Sequence, residues 1–360
     1  HVERWGTYVT TPAVTEAGAT VAVRTELRNR ESDPARVALE TVILDPEGRE
    51  VARSLSSPTV PPGTGAALVR ITVIGPRLWD VERPHLYKAI STVRRGDGVL
   101  DRYETPFGIR SIEWGPGKGF LLNGRRVPLR GVCNHQDLCA LGAAVNRRAI
   151  ERQLETLKRL GANAIRTSHN PPAPELLDAA DRMGFLVLDE AFDMWGKTKI
   201  QNGHGKYFAE WGERDLRDMI RRDRNHPSVV MWSIGNEILE QAEADGWKVA
   251  KRLTDICHEE DPTRITHVRA YRRLRLRDRL RGLGHRGELG RAEGGGLDGR
   301  PPPRARPRLH LHRHGRRLRQ RPQRADHREG PEGAEGEGLR RHQDPARARP
   351  LASHPVLPGR

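Results

Sequence analysis

Residues 221–237 read RRDRNHPSVVMWSIGNE, and the fold turns on how this stretch divides. Asn225, His226 and Pro227 close a helix. Val229, Val230 and Met231 form the short apolar run that a parallel strand buried on both faces shows. Gly235-Asn236-Glu237 then falls at the carboxyl end of that strand. Barrels of eight alternating strands and helices keep their chemistry at this end, so Glu237 is a candidate catalytic carboxylate. Taken alone, a glutamate in such a place is more often a solvated loop acid.

The flanking sequence repeats the unit, which argues for a parallel sheet with crossover helices. Upstream, residues 127–132 fit a first strand ending in Asn134-His135-Gln136-Asp137. A helix follows from about 147 to 160, with Ile150, Leu154, Leu157 and Leu160 on one face and Gly161 as its stop. Ala164-Ile165-Arg166 is the second strand, ending in Thr167-Ser168-His169-Asn170. Pro171, Pro172 and Pro174 open a short helix that stops near Gly184. Residues 185–188 form the third strand, ending in Asp189-Glu190 and running on to Phe192, Asp193, Met194 and Trp195. A loop with Gly196, Gly203 and Gly205 leads to a helix over 208–224, which delivers the chain to Val229. Beyond Glu237 a helix is expected over 240–260, and residues 265–268 begin a fifth strand.

The first 110 or so residues read differently. Residues 20–27 and 37–44 are rich in β-branched side chains and partly alternate, and Asp45-Pro46-Glu47-Gly48 turns the chain after the second. Further strands fit 67–73 and 86–93, and Arg95-Gly96-Asp97-Gly98 closes a hairpin onto 99–103. Some seven short strands with turns between them predict an immunoglobulin-like β-sandwich. The fold class expected is therefore that sandwich over 1–110, then a partial (β/α)8 TIM barrel over 111–270.

Residues 271–360 break the pattern. They hold 24 of the 63 basic residues, all of them Arg, against 10 of the 47 acidic ones, so nearly the whole net charge of +16 resides there. They contain no Phe, Trp, Met or Ile. Three readings fit this stretch, a basic arm for nucleic acid, a disordered tail and GC-rich codons translated out of register, and the shifted frame is preferred. Nucleic acid is not expected as a partner, since Tyr271 is the one Phe, Trp or Tyr there that could stack on a base. The three cysteines, Cys133, Cys139 and Cys257, fit no framework or metal spacing and are expected as free thiols. No apolar run is long enough to span a bilayer, so no membrane is expected. The chain opens at His1 without an initiator Met, which suggests a fragment or trimmed product and leaves its compartment open.

The motifs resemble glycoside hydrolase family 2, which holds β-galactosidases, β-glucuronidases and β-mannosidases. The resemblance rests on Asn236-Glu237 in its strand, on Arg166-Thr167-Ser168-His169, on His135, and on Trp79, Pro84, Leu86 and Tyr87 in the sandwich. It covers about residues 1–270 and implies retaining hydrolysis of β-glycosides, which needs two carboxyl groups about 5–5.5 Å apart. On it Glu237 is the acid/base and Asn236 binds the sugar 2-hydroxyl. His169 and His135 are sugar-binding histidines, and Arg166 positions the nucleophile. Glu190 is a candidate polar neighbour of the acid/base, and Trp195 and Trp232 are candidate sugar platforms, with core packing as the alternative. The family's nucleophile, a second Glu on a later strand, has no match here, so the chain is expected to be inactive. Residues 192–195 lack the Glu and His that hold the metal in one branch, so neither a metal on this loop nor a cofactor is expected. The expected ligand is a β-linked oligosaccharide or glycoside. A noncatalytic carbohydrate-binding remnant is the alternative.

Overall fold

The computed structural model describes residues 1–268. Its first half is a sandwich of two antiparallel sheets. One sheet orders Val2–Val14, Gly18–Asn29 and Gly63–Ile74; the other orders Glu50–Ser56, Ala38–Leu44, Tyr87–Arg95 and Gly98–Phe107. Period-two alternation drives the packing. Val69, Ile71 and Val73 sit opposite Val23, Val21 and Ala19 and turn inward, where they meet Ile43, Ala89 and Phe107 of the facing sheet. The hairpin at Gly96-Asp97 is as expected, with Gly96 at φ 56° supplying the turn geometry that a side chain would resist. The first strand, Val2–Val14, is a correction to the sequence reading, which left it out.

The second half is a five-stranded parallel sheet in sequence order: Gly131–His135, Ala164–Ser168, Leu186–Glu190, Val229–Ser233 and Ile265–His267. Helices α1 (Arg147–Arg159), α2 (Pro174–Met183), α3 (Gly205–Asp223) and α4 (Gly246–Glu260) connect them. The first strand lies four residues later than expected at its start, and α4 begins at Gly246 after a short 3-10 turn, Leu239–Ala242. Asn146 caps α1 through a bond from the Ala149 N–H to Oδ1, 2.9 Å, and Gly184 ends α2 in the left-handed conformation. Ile165, Val187 and Val229 face outward and join Leu154, Leu177, Leu216 and Ile256 of the helices in one core. Leu186 and Val230 pack instead with Trp79, from the sandwich loop between Gly63–Ile74 and Tyr87–Arg95, and with Phe120 and Leu122 of the segment that links sandwich to sheet.

The quoted stretch is also where the two halves lock. The Asn225 side chain accepts from the Val9 N–H (2.8 Å) and donates to the Thr7 carbonyl (2.9 Å), satisfying backbone groups on the edge strand of the sandwich. Gly108 must be glycine for Pro227 to seat: a Cβ there would lie 2.7 Å from the Pro227 Cβ and 2.8 Å from the Trp79 Cβ. The Arg110 guanidinium donates to the Val229 carbonyl, 2.7 Å, at the foot of the strand that carries Glu237.

His226 pairs through Nδ1 with Asp181 Oδ2 at 2.6 Å, while Asp181 Oδ1 accepts from the Ser228 N–H. Burial lowers the His226 pKa, but the Asp181 carboxylate outweighs it and raises the pKa from 6.5 to about 9. A raised folded-state pKa stabilises fully below the unfolded value and is lost as pH rises through the folded one. Unfolding free energy is therefore expected to fall between about pH 6.5 and 9, by on the order of 2–3 kcal/mol, and His226→Gln should flatten that slope in urea titrations. An equal slope in the variant would remove His226 as its source.

Candidate active site

Strands two to four converge at their carboxyl ends on Glu190. This side chain faces the inner side of the sheet, is 0% exposed and accepts four hydrogen bonds. Oε2 takes Arg166 Nε (3.0 Å), Arg166 Nη2 (2.8 Å) and Ser233 Oγ (2.7 Å), and Oε1 takes His169 Nδ1 at 2.6 Å. Its own N–H donates to Thr167 Oγ1, 2.8 Å. Strand pleating explains the convergence, since Arg166, Glu190 and Ser233 share one face of neighbouring strands while Asp189 takes the other. Asp189 is buried towards α3; burial and the Asp223 carboxylate hold its pKa well above the usual range.

Arg166 reaches further. Its Nη2 also donates to Asn236 Oδ1, 2.9 Å. A guanidinium only donates, so the Asn236 amide turns its oxygen to Arg166, and its Nδ2 donates to Asp193 Oδ1 at 3.0 Å. The Asn236 backbone is held at both ends: its N–H donates to the Phe192 carbonyl (3.0 Å) and its carbonyl accepts from Lys199 Nζ (2.8 Å). Lys199 Nζ also pairs with Asp193 Oδ1 at 2.9 Å. Burial would raise the Asp193 pKa, but the bonds from Asn236 and Lys199 win and hold it below the ordinary carboxylate value.

Glu237 follows directly, half-buried, with φ at 46°. A non-glycine residue in the left-handed region is uncommon and concentrates at functional sites. Gly235 lets the turn fit, because a Cβ there would come within 2.6 Å of Ile238 Cδ1 and 3.0 Å of Trp195 Nε1. His135, exposed at the end of the first strand, meets the His169 ring edge-on with centroids 5.1 Å apart.

The network thus joins Arg166, His169, Glu190 and Asn236, with His135 against His169. Trp195 and Trp232 are corrected: both are 0% exposed and neither offers a face to a sugar. Trp195 donates from Nε1 to the Ile234 carbonyl (2.7 Å) and Trp232 to Asp261 Oδ2 (2.9 Å), so both brace the Glu237 strand from behind. Asp193, Lys199, Ser233 and Thr167 were missed as site residues; Thr167 and Ser233 at strand ends, and Asp193 just beyond one, carried a positional signal that Lys199 lacked. Residues 271–360, where the shifted frame is expected and where a later strand with the second Glu would fall, lie outside the described residues.

A family 2 sandwich followed by the opening strands of its barrel, with this cluster at the barrel mouth, fits the matches found. Residues 1–110 match the description "Glycosyl hydrolases family 2" and residues 116–280 match "Glycosyl hydrolases family 2, TIM barrel domain", and the chain belongs to that family. Among curated relatives, it is 53% identical over 255 residues to a Bacteroides ovatus protein named beta-galactosidase BoGH2A, covering 71% of this chain and 29% of that protein. It is 30% identical over 275 residues to a Bacteroides fragilis beta-glucuronidase, covering 72% and 38%. A solved glycosyl hydrolase family 2 member from Bacteroides cellulosilyticus superposes with a TM-score of 0.74 at 41% identity, covering 75% of this chain and 35% of that one. The chain thus spans about a third of the length of these relatives.

Proposed function

We propose that this chain carries the acid/base half of a retaining β-glycosidase site of the β-galactosidase type, with Glu237 as the proton donor. The observation that supports it most directly is the Arg166 guanidinium, which ties Glu190 of strand three to Asn236 beside Glu237. In this reading Glu237 protonates the leaving glycosidic oxygen and later takes a proton from water. Asn236 has one Nδ2 hydrogen beyond its bond to Asp193, and that hydrogen serves the sugar 2-hydroxyl. Glu190 fixes His169 with Nδ1 as the donor, which leaves Nε2 for a sugar hydroxyl. His135 supports that ring and contacts sugar in turn.

A double displacement needs a second carboxylate, and we assign none. Glu190 is committed to four donors, and Asp193 Oδ1 is taken by Asn236 Nδ2 and Lys199 Nζ. We therefore expect this polypeptide to bind β-glycosides without turning them over, which is also what a noncatalytic carbohydrate-binding form would do. Titration calorimetry with methyl β-galactoside and methyl β-glucuronide tests the site. Binding should weaken by roughly threefold to tenfold in each of Asn236→Ala and His169→Ala. Binding untouched by both variants sinks the site; aryl glycoside turnover abolished by Glu237→Gln overturns the inactivity.

A further inference from the structure

A groove opens from the edge of this site. It is lined by His169 and Asp193 of the site, by His204 and Trp5, and by Asp215 and Asp218 of α3. Its volume, about 510 Å³, lies in the range of small-molecule sites and exceeds what a single pyranose ring fills. We propose that this groove holds the further units of a neutral β-linked oligosaccharide whose reacting sugar sits at Glu237, with Trp5 as the distal platform. The proposal rests on the reading of the site given above.

Three observations support this occupant. The first is continuity: His169 and Asp193 belong both to the Glu190–Asn236 network and to the groove, so a chain leaving the site enters it directly. The second is chemistry. His204 stacks at 5.7 Å on the buried Phe192 and keeps its other face open, and Trp5 is half-buried, giving flat surfaces of the kind that pyranose faces cover. Asp215 and Asp218 sit between them as acceptors for hydroxyl groups; Asp215 also meets His204 Nε2 at 3.1 Å. The third is charge. Three carboxylates line the groove, each beside its own partner (Asp193 by Lys199 at 2.9 Å, Asp215 by His204 at 3.1 Å, Asp218 by Arg214 at 3.9 Å), and its arginine, Arg222, is paired with Asp223 at 2.6 Å. Apart from Arg4, whose guanidinium lies over the Trp5 ring, the cations beside the groove are already paired, so a uronate would have to compete with these carboxylates, whereas neutral units meet acceptors.

Trp5 comes from the first strand of the sandwich, Val2–Val14. Its backbone has φ 54°, the Arg4 guanidinium lies 4.0 Å from its ring centroid, and its carbonyl accepts from Arg224 at 3.4 Å. The ring is thereby held in place next to α3.

The test is calorimetric, on the full chain, with a methyl β-glycoside, a neutral β-linked trisaccharide ending in the same sugar, and a trisaccharide whose extending units are uronates. The neutral trisaccharide should bind about tenfold more tightly than the methyl glycoside, and the uronate form should gain nothing. Trp5→Ala should bring the ratio of neutral trisaccharide to methyl glycoside affinity down about fivefold to tenfold, with Trp5→Phe retaining most of it. Asp218→Lys should let the uronate form gain affinity, and thermal melts should show each variant folded. A trisaccharide no tighter than the methyl glycoside, or a ratio unmoved by Trp5→Ala, overturns the groove and leaves the Glu237 site standing. Methyl glycosides that fail to bind overturn both.

Discussion

Glu190→Ala is expected to lower the free energy of unfolding by about 3–5 kcal/mol, the usual cost of removing one partner of a buried ion pair. The reason is what stays behind. Arg166, with only 12% of its side chain exposed, would keep its charge without a counter-ion, and Ser233 and His169 would lose their acceptor. Glu190→Gln should cost less because it keeps an oxygen, but its amide nitrogen must then face a donor. Replacing both members, as in Arg166→Met with Glu190→Leu, should recover part of the loss, since two apolar groups leave no orphaned charge. Urea unfolding followed by circular dichroism measures all four chains. A loss below about 1 kcal/mol in Glu190→Ala would mean that the network is not formed in solution. Sugar binding should fall in the same variant, because His169 and Asn236 are both oriented through Glu190 and its arginine.

How much of this was legible beforehand varies with the physical signal. Val229, Val230 and Met231 announced a strand because a parallel strand is covered on both faces, and Gly235-Asn236-Glu237 followed at its open end. The first barrel strand was misplaced for the opposite reason. Gly131–His135 exposes Gly131, Cys133 and His135 and so lacks the apolar run that drew the reading upstream to residues 127–132. Val2–Val14 was missed because its pattern is interrupted: register shifts fall between Val2 and Thr7 and between Thr10 and Ala13, which breaks the alternation that marks a strand. Trp195 and Trp232 show another limit. A tryptophan near a strand end is equally available to core or ligand, and only packing against Ile234 and Asp261 decides. Lys199 carried no signal at all, since its two acceptors, Asp193 and the Asn236 carbonyl, lie in separate segments that only the fold brings together.

Asp261→Ala should cost about as much as Glu190→Ala, about 3–5 kcal/mol, though it lies far from the sugar site in role. Asp261 is 0% exposed and gathers donors from both halves of the protein. Tyr8 of the sandwich donates to Oδ1 at 2.6 Å, Trp232 Nε1 donates to Oδ2 at 2.9 Å, the Thr263 N–H donates at 3.0 Å, and Arg264 pairs with Oδ2. Burial would raise its pKa, but the Arg264 charge and the hydrogen bonds hold it far below the usual carboxylate range. A depressed folded-state pKa gives stability that is present above the unfolded value, near 3.9, and lost only as pH falls through the folded one. The contribution of Asp261 should therefore persist through mildly acid solution, and the gap between wild type and variant should close only in strong acid. Arg264 makes the loss large: it also donates to the carbonyls of Val229 (2.7 Å) and Arg224 (2.9 Å), so it cannot swing out to water once its carboxylate has gone. Tyr8→Phe removes one hydrogen bond and should cost only about 1 kcal/mol. A double-mutant cycle over Asp261 and Arg264 separates the ion pair from the packing, and a coupling near zero would show that the hub acts through shape alone.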